Sequence, residues 1–287
     1  MSEAAISHVI GAASEPRNWI RYAARLGYAS RGFVYVLVGG LALLAAAGAG
    51  GDAGPPGSRS AIATLLNRSF GVALLAMLAS GLAAFALWRF CQSVLNADRH
   101  PSDARGFAIR AGLFISSMAH GLLAASMINL IIGAAKARVD EERRIDELSA
   151  SLLSWPFGAW LLGLIGAAVI AAALVQVVKG WRGGYRKWLK LDVKQMRWAS
   201  PVCRVGLIAR GIAFLIIGGL LVFAAATARP EEAAGLGGVL STLQRQPFGP
   251  WLLAALALGL LAFAGYSMIE AAFRRVDPPR AAIIGGT

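Results

Sequence analysis

Three arginines recur at one position of a repeated motif, and a guanidinium suits the gripping of a phosphate or other anion through paired hydrogen bonds. The motif reads Gly27-Tyr-Ala-Ser-Arg31-Gly-Phe-Val-Tyr35, then Gly106-Phe-Ala-Ile-Arg110-Ala-Gly-Leu-Phe114, then Gly206-Leu-Ile-Ala-Arg210-Gly-Ile-Ala-Phe214. Each arginine stands at the head of a long apolar run. In a threefold bundle Arg31, Arg110 and Arg210 could converge on one phosphate or lipid headgroup. The alternative is that each one snorkels to the membrane interface and only fixes orientation. Arg25 and Arg204, six residues earlier in two of the copies, add positive potential that attracts anionic lipid in either case.

A second cationic candidate is the stretch over 181–198. Trp181, Tyr185, Trp188, Leu189, Val193 and Met196 fall near one helical face, while Arg182, Arg186, Lys187, Lys190, Lys194 and Arg197 occupy much of the rest. This pattern predicts an interfacial helix lying on anionic lipid, with docking onto another membrane protein as the alternative. Gly183 and Gly184 weaken its first turn. Inside the apolar runs the one histidine is His120, with Ser116 four residues earlier on the same face as a hydrogen-bond partner. A satisfied bundle histidine and a proton relay are both open readings of it. Cys91 and Cys203 are too few for a four-ligand zinc site, so neither a metal nor a cofactor is expected.

These candidates need elements to carry them. Of 287 residues 57% are apolar and only 15% charged, with mean hydropathy +0.61, which excludes a disordered chain or an ordinary soluble domain. Uncharged runs cover 32–51, 69–88, 111–135, 148–178, 211–228 and 246–269. Crossing a hydrocarbon layer of ~30 Å takes roughly 20 helical residues, so six transmembrane helices are predicted. The fold class is therefore all-α and polytopic. The segments that would lie on one side of the six spans hold 20 basic and 7 acidic residues, and those on the other side 8 of each. The whole net charge of +13 thus falls on one face, which the positive-inside rule makes cytoplasmic, with both termini inside. Topology accounts for the basic pI, and no nucleic-acid partner is expected.

Self-similarity extends to the even runs, entered through Ser-Phe70-Gly71, Pro156-Phe157-Gly158 and Pro247-Phe248-Gly249 and followed by Ala73-Leu-Leu, Trp160-Leu-Leu and Trp251-Leu-Leu. Two motifs recurring in one order three times mark three tandem αα hairpins. Each copy holds an even number of spans, so all three point the same way and a pseudo-threefold axis along the membrane normal is the natural arrangement. Before the even spans a short external helix that breaks at Pro-Phe-Gly is expected, with Thr64, Ser151 and Thr242 at one repeat position to cap or tie those breaks. The division is a cytoplasmic tail over 1–16, hairpins over 17–99 and 100–180, the amphipathic segment 181–198, a third hairpin over 199–276 and a tail over 277–287.

On these motifs the chain resembles the bacterial membrane proteins catalogued as domain of unknown function twelve-zero-six, which carry three tandem two-helix modules. Copies one and three carry the likeness best, through Ala24-Arg25-Leu-Gly-Tyr-Ala-Ser-Arg31-Gly and Cys203-Arg204-Val-Gly-Leu-Ile-Ala-Arg210-Gly. Copy two departs, with Ala104 in place of Arg25 and Arg204, Ala111 after the arginine and Met118 in place of Gly39 and Gly218. The resemblance implies a fold and a bacterial cytoplasmic (inner) membrane location, and no activity.

No acidic residue falls within any span before Glu270 at the last cytoplasmic end, so a membrane-buried carboxylate dyad or triad cannot be assembled and a non-catalytic role is expected. The reading is a lipid-binding or accessory protein with anionic phospholipid as partner and, in the scaffold form, another membrane protein. A passive channel or transporter for a small anion or neutral solute along the axis is the alternative, and the residues lining the axis at mid-depth discriminate the two.

Overall fold

The structure is a computed structural model, and it describes residues 16–48, 71–98, 100–132 and 141–275. Eight α-helices appear among them: α1 (Pro16–Ala46), α2 (Gly71–Val94), α3 (Ala104–Ile131), α4 (Glu141–Leu153), α5 (Gly158–Trp181), α6 (Val193–Thr227), α7 (Leu236–Gln244) and α8 (Gly249–Phe273). Six of these, all but α4 and α7, are long and apolar enough to cross a membrane.

The helix starts have local causes. Asp103 caps α3, its carboxylate accepting from the Gly106 N–H at 2.7 Å. Asp192 and Gln195 form a reciprocal capping box at the start of α6. The expected short helices before the even spans are present in copies two and three as α4 and α7, each closed by a turn that leads into Gly158 or Gly249. A Cβ at Gly158 would lie 1.6 Å from the Leu152 carbonyl oxygen, and one at Gly249 would lie 2.0 Å from that of Gln244, so only glycine fits these breaks. Ser151 and Thr242 do not cap them, because they lie inside α4 and α7, and Phe157 and Phe248 at the cap positions make no side-chain bond. Thr64 lies outside the described residues, as do the tails over 1–15 and 276–287.

The amphipathic helix expected over 181–198 is not one element. The α5 helix ends at Trp181 in a Schellman turn: Gly183 takes φ +68°, the Gly184 N–H donates to the Lys179 carbonyl at 2.9 Å, and the Gly183 N–H reaches that of Gly180 at 3.4 Å. A single 3-10 turn follows over Arg186–Trp188, and Leu189 then pairs with Arg274 beyond the end of α8. The two glycines that weaken a first turn thus end the preceding helix, and Asp192 starts a new one. Tyr185 and Leu189 are buried in the core, and the Tyr185 hydroxyl shares a hydrogen bond with that of Ser200 at 2.7 Å.

The spans pack in a row, α3 on α2, α2 on α1, α1 on α8, α8 on α6 and α6 on α5. The most extensive contacts are α5 with α6, α8 with α1 and α2 with α3, each joining an even span to the next odd one. Small residues permit the close approaches, which in lipid replace a hydrophobic driving force. A Cβ on Gly27 would stand 2.4 Å from Phe85 Cβ, and one on the repeat-equivalent Gly206 would stand 2.4 Å from the Phe263 backbone nitrogen. The third equivalent, Gly106, serves its own helix start instead, since a Cβ there would meet the Pro101 carbonyl oxygen at 1.8 Å. Correspondingly α3 and α5, the two spans of copy two, end the row with no extensive contact between them and are the least buried of the six.

Replacing Gly206 by Ala is expected to lower stability by about 1–3 kcal/mol, the usual penalty of forcing a methyl into a packed contact. Gly219, whose Cβ would meet nothing within 4 Å, tolerates the same change. Thermal unfolding of the purified protein in detergent checks the pair, and equal midpoints for the two variants would contradict the packing.

Candidate anion site

All six spans contribute to one cavity of about 190 Å³, lined by Arg31 from α1, Arg89 from α2, Ser116 and His120 from α3, Gln176 and Lys179 from α5, Arg210 from α6, and Phe263, Tyr266 and Glu270 from α8, among others. Two of the three motif arginines therefore converge, and their surroundings explain how charges sit among apolar helices. Arg31 donates through Nη2 to Glu270 Oε2 at 2.6 Å and through Nε to the Ser267 hydroxyl at 3.1 Å. Glu270, only 2% exposed, accepts on its other oxygen from Arg274 one turn later, and Arg274 also approaches Asp98 at 3.9 Å. One carboxylate is thus held between two guanidiniums, joining the first span to the end of the last.

The other cations rest on rings and neutral oxygens. Arg210 donates to the Tyr35 hydroxyl at 2.7 Å and to Gln176 Oε1, and its guanidinium lies 4.1 Å from the Phe214 centroid and 4.8 Å from that of Phe263. Arg31 stacks over Phe263 at 5.1 Å and Phe85 at 5.2 Å, and Arg89 lies over Phe85 at 4.8 Å. The result is an alternating series, Arg89, Phe85, Arg31, Phe263, Arg210, in which each ring face offsets part of the repulsion between neighbouring cations. Lys179 donates to the Tyr266 hydroxyl at 3.2 Å. Among the described residues Arg89, Lys179 and Arg210 form no ion pair.

Arg110 does not join them. Its Nε donates to the Ser93 carbonyl at 2.6 Å and its Nη2 to that of Val94 at 3.0 Å, closing the free carbonyl end of α2. The repeat-equivalent of Val94 is Trp181, whose carbonyl Arg204 approaches at 3.4 Å. Copy two has Ala104 in place of Arg204, so the motif arginine itself takes over the helix end and is lost to the cavity. Arg25 and Arg204 are exposed and stand away from the cavity. His120 lines it, with Nδ1 2.7 Å from the Ser116 carbonyl oxygen, so the partner is the Ser116 backbone and not its hydroxyl, and the ring meets Phe85 edge-on at 4.7 Å between centroids.

Of the residues read as an interfacial helix, Arg186 and Arg197 line an open groove beside the start of α6 together with Arg204, Leu191, Val193 and Met196. Trp181, Arg182, Lys187, Lys190 and Lys194 are exposed, Trp188 is half-buried and carries the Lys187 ammonium 5.0 Å from its ring, and Tyr185 is core.

Arg89, Lys179 and Glu270 were not legible as site residues from the uncharged runs, which end at Trp88, Val178 and Ile269 and assign each charge to the flanking loop. The helices continue beyond, α2 to Val94, α5 to Trp181 and α8 to Phe273. The repeat register carries the missing signal: counting 18 residues from Gly71, Gly158 and Gly249 reaches Arg89, Gln176 and Ser267, and counting 21 reaches Gln92, Lys179 and Glu270. Both positions are polar in all three copies.

The family model for Domain of Unknown Function (DUF1206) matches three successive segments of the chain, residues 26–96, 111–183 and 205–274. The chain belongs to this family. It is also 33% identical over 268 residues to the uncharacterized protein YxxB of Bacillus subtilis (strain 168), covering 91% of this chain and 94% of that protein. No solved structure matches. In this member of the family the three matched segments are α1 with α2, α3 with α5, and α6 with α8, so the repeats supply the cavity in pairs of spans.

Glu270→Gln leaves Arg31 and Arg274 without their shared carboxylate, and breaking a buried pair costs about 3–5 kcal/mol. A clear fall in the unfolding temperature is expected, read by tryptophan fluorescence of the detergent-solubilised protein, and an unchanged midpoint would show the carboxylate to be solvated.

Proposed function

We propose that the protein is a non-catalytic integral membrane protein of the bacterial cytoplasmic membrane, with both termini inside, that holds an anion in the central cavity, in the first instance a phospholipid headgroup. The observation that carries this reading is the excess of cations there: Arg89, Lys179 and Arg210, each half-buried, have neutral partners only, and a cation drawn among apolar spans without a counter-charge is costly. A bound anion removes that cost. The open basic groove at the start of α6 supports the same preference for anionic lipid at the interface. Its lining residues fall on the side that the charge asymmetry assigns to the cytoplasm.

The three matched segments and the three matching even-to-odd contacts support a pseudo-threefold frame, with copy two departing at its open side. That frame is also what a passive path for a small anion or neutral solute would use, since the cavity lies where all six spans meet. Holding is favoured over passage because the core beyond the cavity is filled by Val38, Leu78, Leu82, Met127, Leu256 and Leu260, all of them buried.

Lys179→Gln combined with Arg210→Gln removes two unpaired cations while leaving the Arg31–Glu270–Arg274 cluster intact. At roughly 1.5–3 kcal/mol per charged hydrogen bond, co-purifying anionic phospholipid counted by native mass spectrometry should fall by about tenfold or more, whereas Arg110→Gln should leave it unchanged. Equal lipid retention in both variants would overturn the proposal, and anion flux through sealed proteoliposomes would replace it with the path.

A further inference from the structure

We infer that the anion taken by the central cavity is a terminal phosphate, a phosphomonoester or phosphate ion carrying two negative charges, and not the singly charged phosphodiester of a common headgroup. The inference rests on the anion-holding reading above and narrows it to a chemical class. Its first ground is charge. Arg31, Arg89, Lys179, Arg210 and Arg274 form one cluster with Glu270 and Asp98 as its acids, so three cations are uncompensated among the described residues. A diester monoanion would leave most of that excess in place. A phosphomonoester brings about −1.5 to −2 charges near neutral pH and three strong acceptor oxygens.

The second ground is donor capacity. Arg89 has one long hydrogen bond, from Nη1 to Gln92 Oε1 at 3.3 Å, and its Nε is buried without an acceptor. Lys179 has three ammonium protons and a single acceptor, the Tyr266 hydroxyl. A terminal phosphate presents three unsubstituted oxygens in different directions, which matches donors arriving from α1, α2, α5 and α6 at once, whereas a diester keeps only two. The third ground is size. A cavity of about 190 Å³ is smaller than the ~300 Å³ from which pockets enclose a drug-sized ligand. A single phosphate group with some hydration fits within it.

The way in is set by the packing. The wall between α3 and α5 is made by Ser116, His120, Ala172 and Val175, and the last two are exposed on the membrane-spanning surface. These are the two spans at the ends of the row, and no extensive contact joins them. The cavity thus lies beside an opening toward the hydrocarbon, through which a lipid can present a terminal phosphate while its chains stay in the bilayer. A free phosphate ion shares the chemistry, so the test separates the two sources.

The experiment measures binding to the full-length protein in nanodiscs with three probes: dioleoyl phosphatidic acid, dioleoyl phosphatidylmethanol and inorganic phosphate. The first two differ by one methyl group and one ionisable oxygen. Phosphatidic acid is expected to bind roughly tenfold or more tightly than phosphatidylmethanol, the equivalent of one further charged hydrogen bond or ion pair, and Lys179→Gln should shrink the ratio toward one. If millimolar inorganic phosphate displaces phosphatidic acid, the source includes the free ion; if it does not, the lipid is required, and either result keeps the assigned chemistry. Equal binding of the two lipids, with both lost in Lys179→Gln/Arg210→Gln, would overturn the terminal-phosphate assignment and leave the anion site standing. Binding of none of the three probes would overturn both.

Discussion

A carboxylate and two guanidiniums placed among apolar helices impose the constraint on which the remaining structure depends. Glu270 is desolvated, and charges removed from water are tolerated only when paired and hydrogen-bonded. Its pairing with Arg31 at 2.6 Å, and with Arg274 just past the end of its own helix, forces the first span against the last. The Gly39 contact with Ala257 and the Tyr35 ring on Phe263 continue that seam toward the other side. With α1 seated on α8, the neighbouring spans are carried round so that Arg89, Lys179 and Arg210 face the same interior. The cations there exceed the acids, and binding of an anion is the chemistry such an excess allows.

The repeats set a frame and their divergence makes the site. At one position of the even spans the three copies hold Arg89, Gln176 and Ser267, and at another Gln92, Lys179 and Glu270. An identical residue at each would give a ring of like charges. Instead Ser267 and Glu270 accept from Arg31, Gln176 accepts from Arg210, and Arg89 and Lys179 supply the excess. Copy two compensates for its missing Arg204 equivalent by diverting Arg110 to the end of α2, its glycine packs on the α3 start, and no extensive contact joins α3 to α5. Asymmetry therefore places both the charge and the opening.

Much of the architecture was legible in the sequence because lipid leaves few options: long uncharged runs must be helices, and their number and the repeat of their motifs can be read directly. Spacing placed Arg31, Arg110 and Arg210 at one repeat position without separating convergence from snorkelling, and of the three Arg31 and Arg210 line the cavity. Arg89, Lys179 and Glu270 were hidden, because the end of an uncharged run marks where charge begins and not where the helix stops. Arg110 was misleading for a different reason, since its partners are backbone carbonyls of another helix and no side-chain pattern reports them. The 181–198 stretch has helical amphipathicity, yet Gly183 adopts a left-handed conformation and Asp192 caps the start of α6, so local backbone chemistry overrode the periodicity.

A double-mutant cycle between Arg31 and Glu270 tests the central claim most directly. Unfolding free energies would be compared for Arg31→Gln, Glu270→Gln and the double variant in one lipid–detergent mixture. If the pair closes the bundle, the two losses are less than additive, with a coupling of up to about 3 kcal/mol between the two sites, and the loss that Glu270→Gln keeps in the Arg31→Gln background is that of its pairing with Arg274. Strictly additive losses would mean that the two side chains do not depend on each other, and the account of how the spans are brought around the cavity would be wrong.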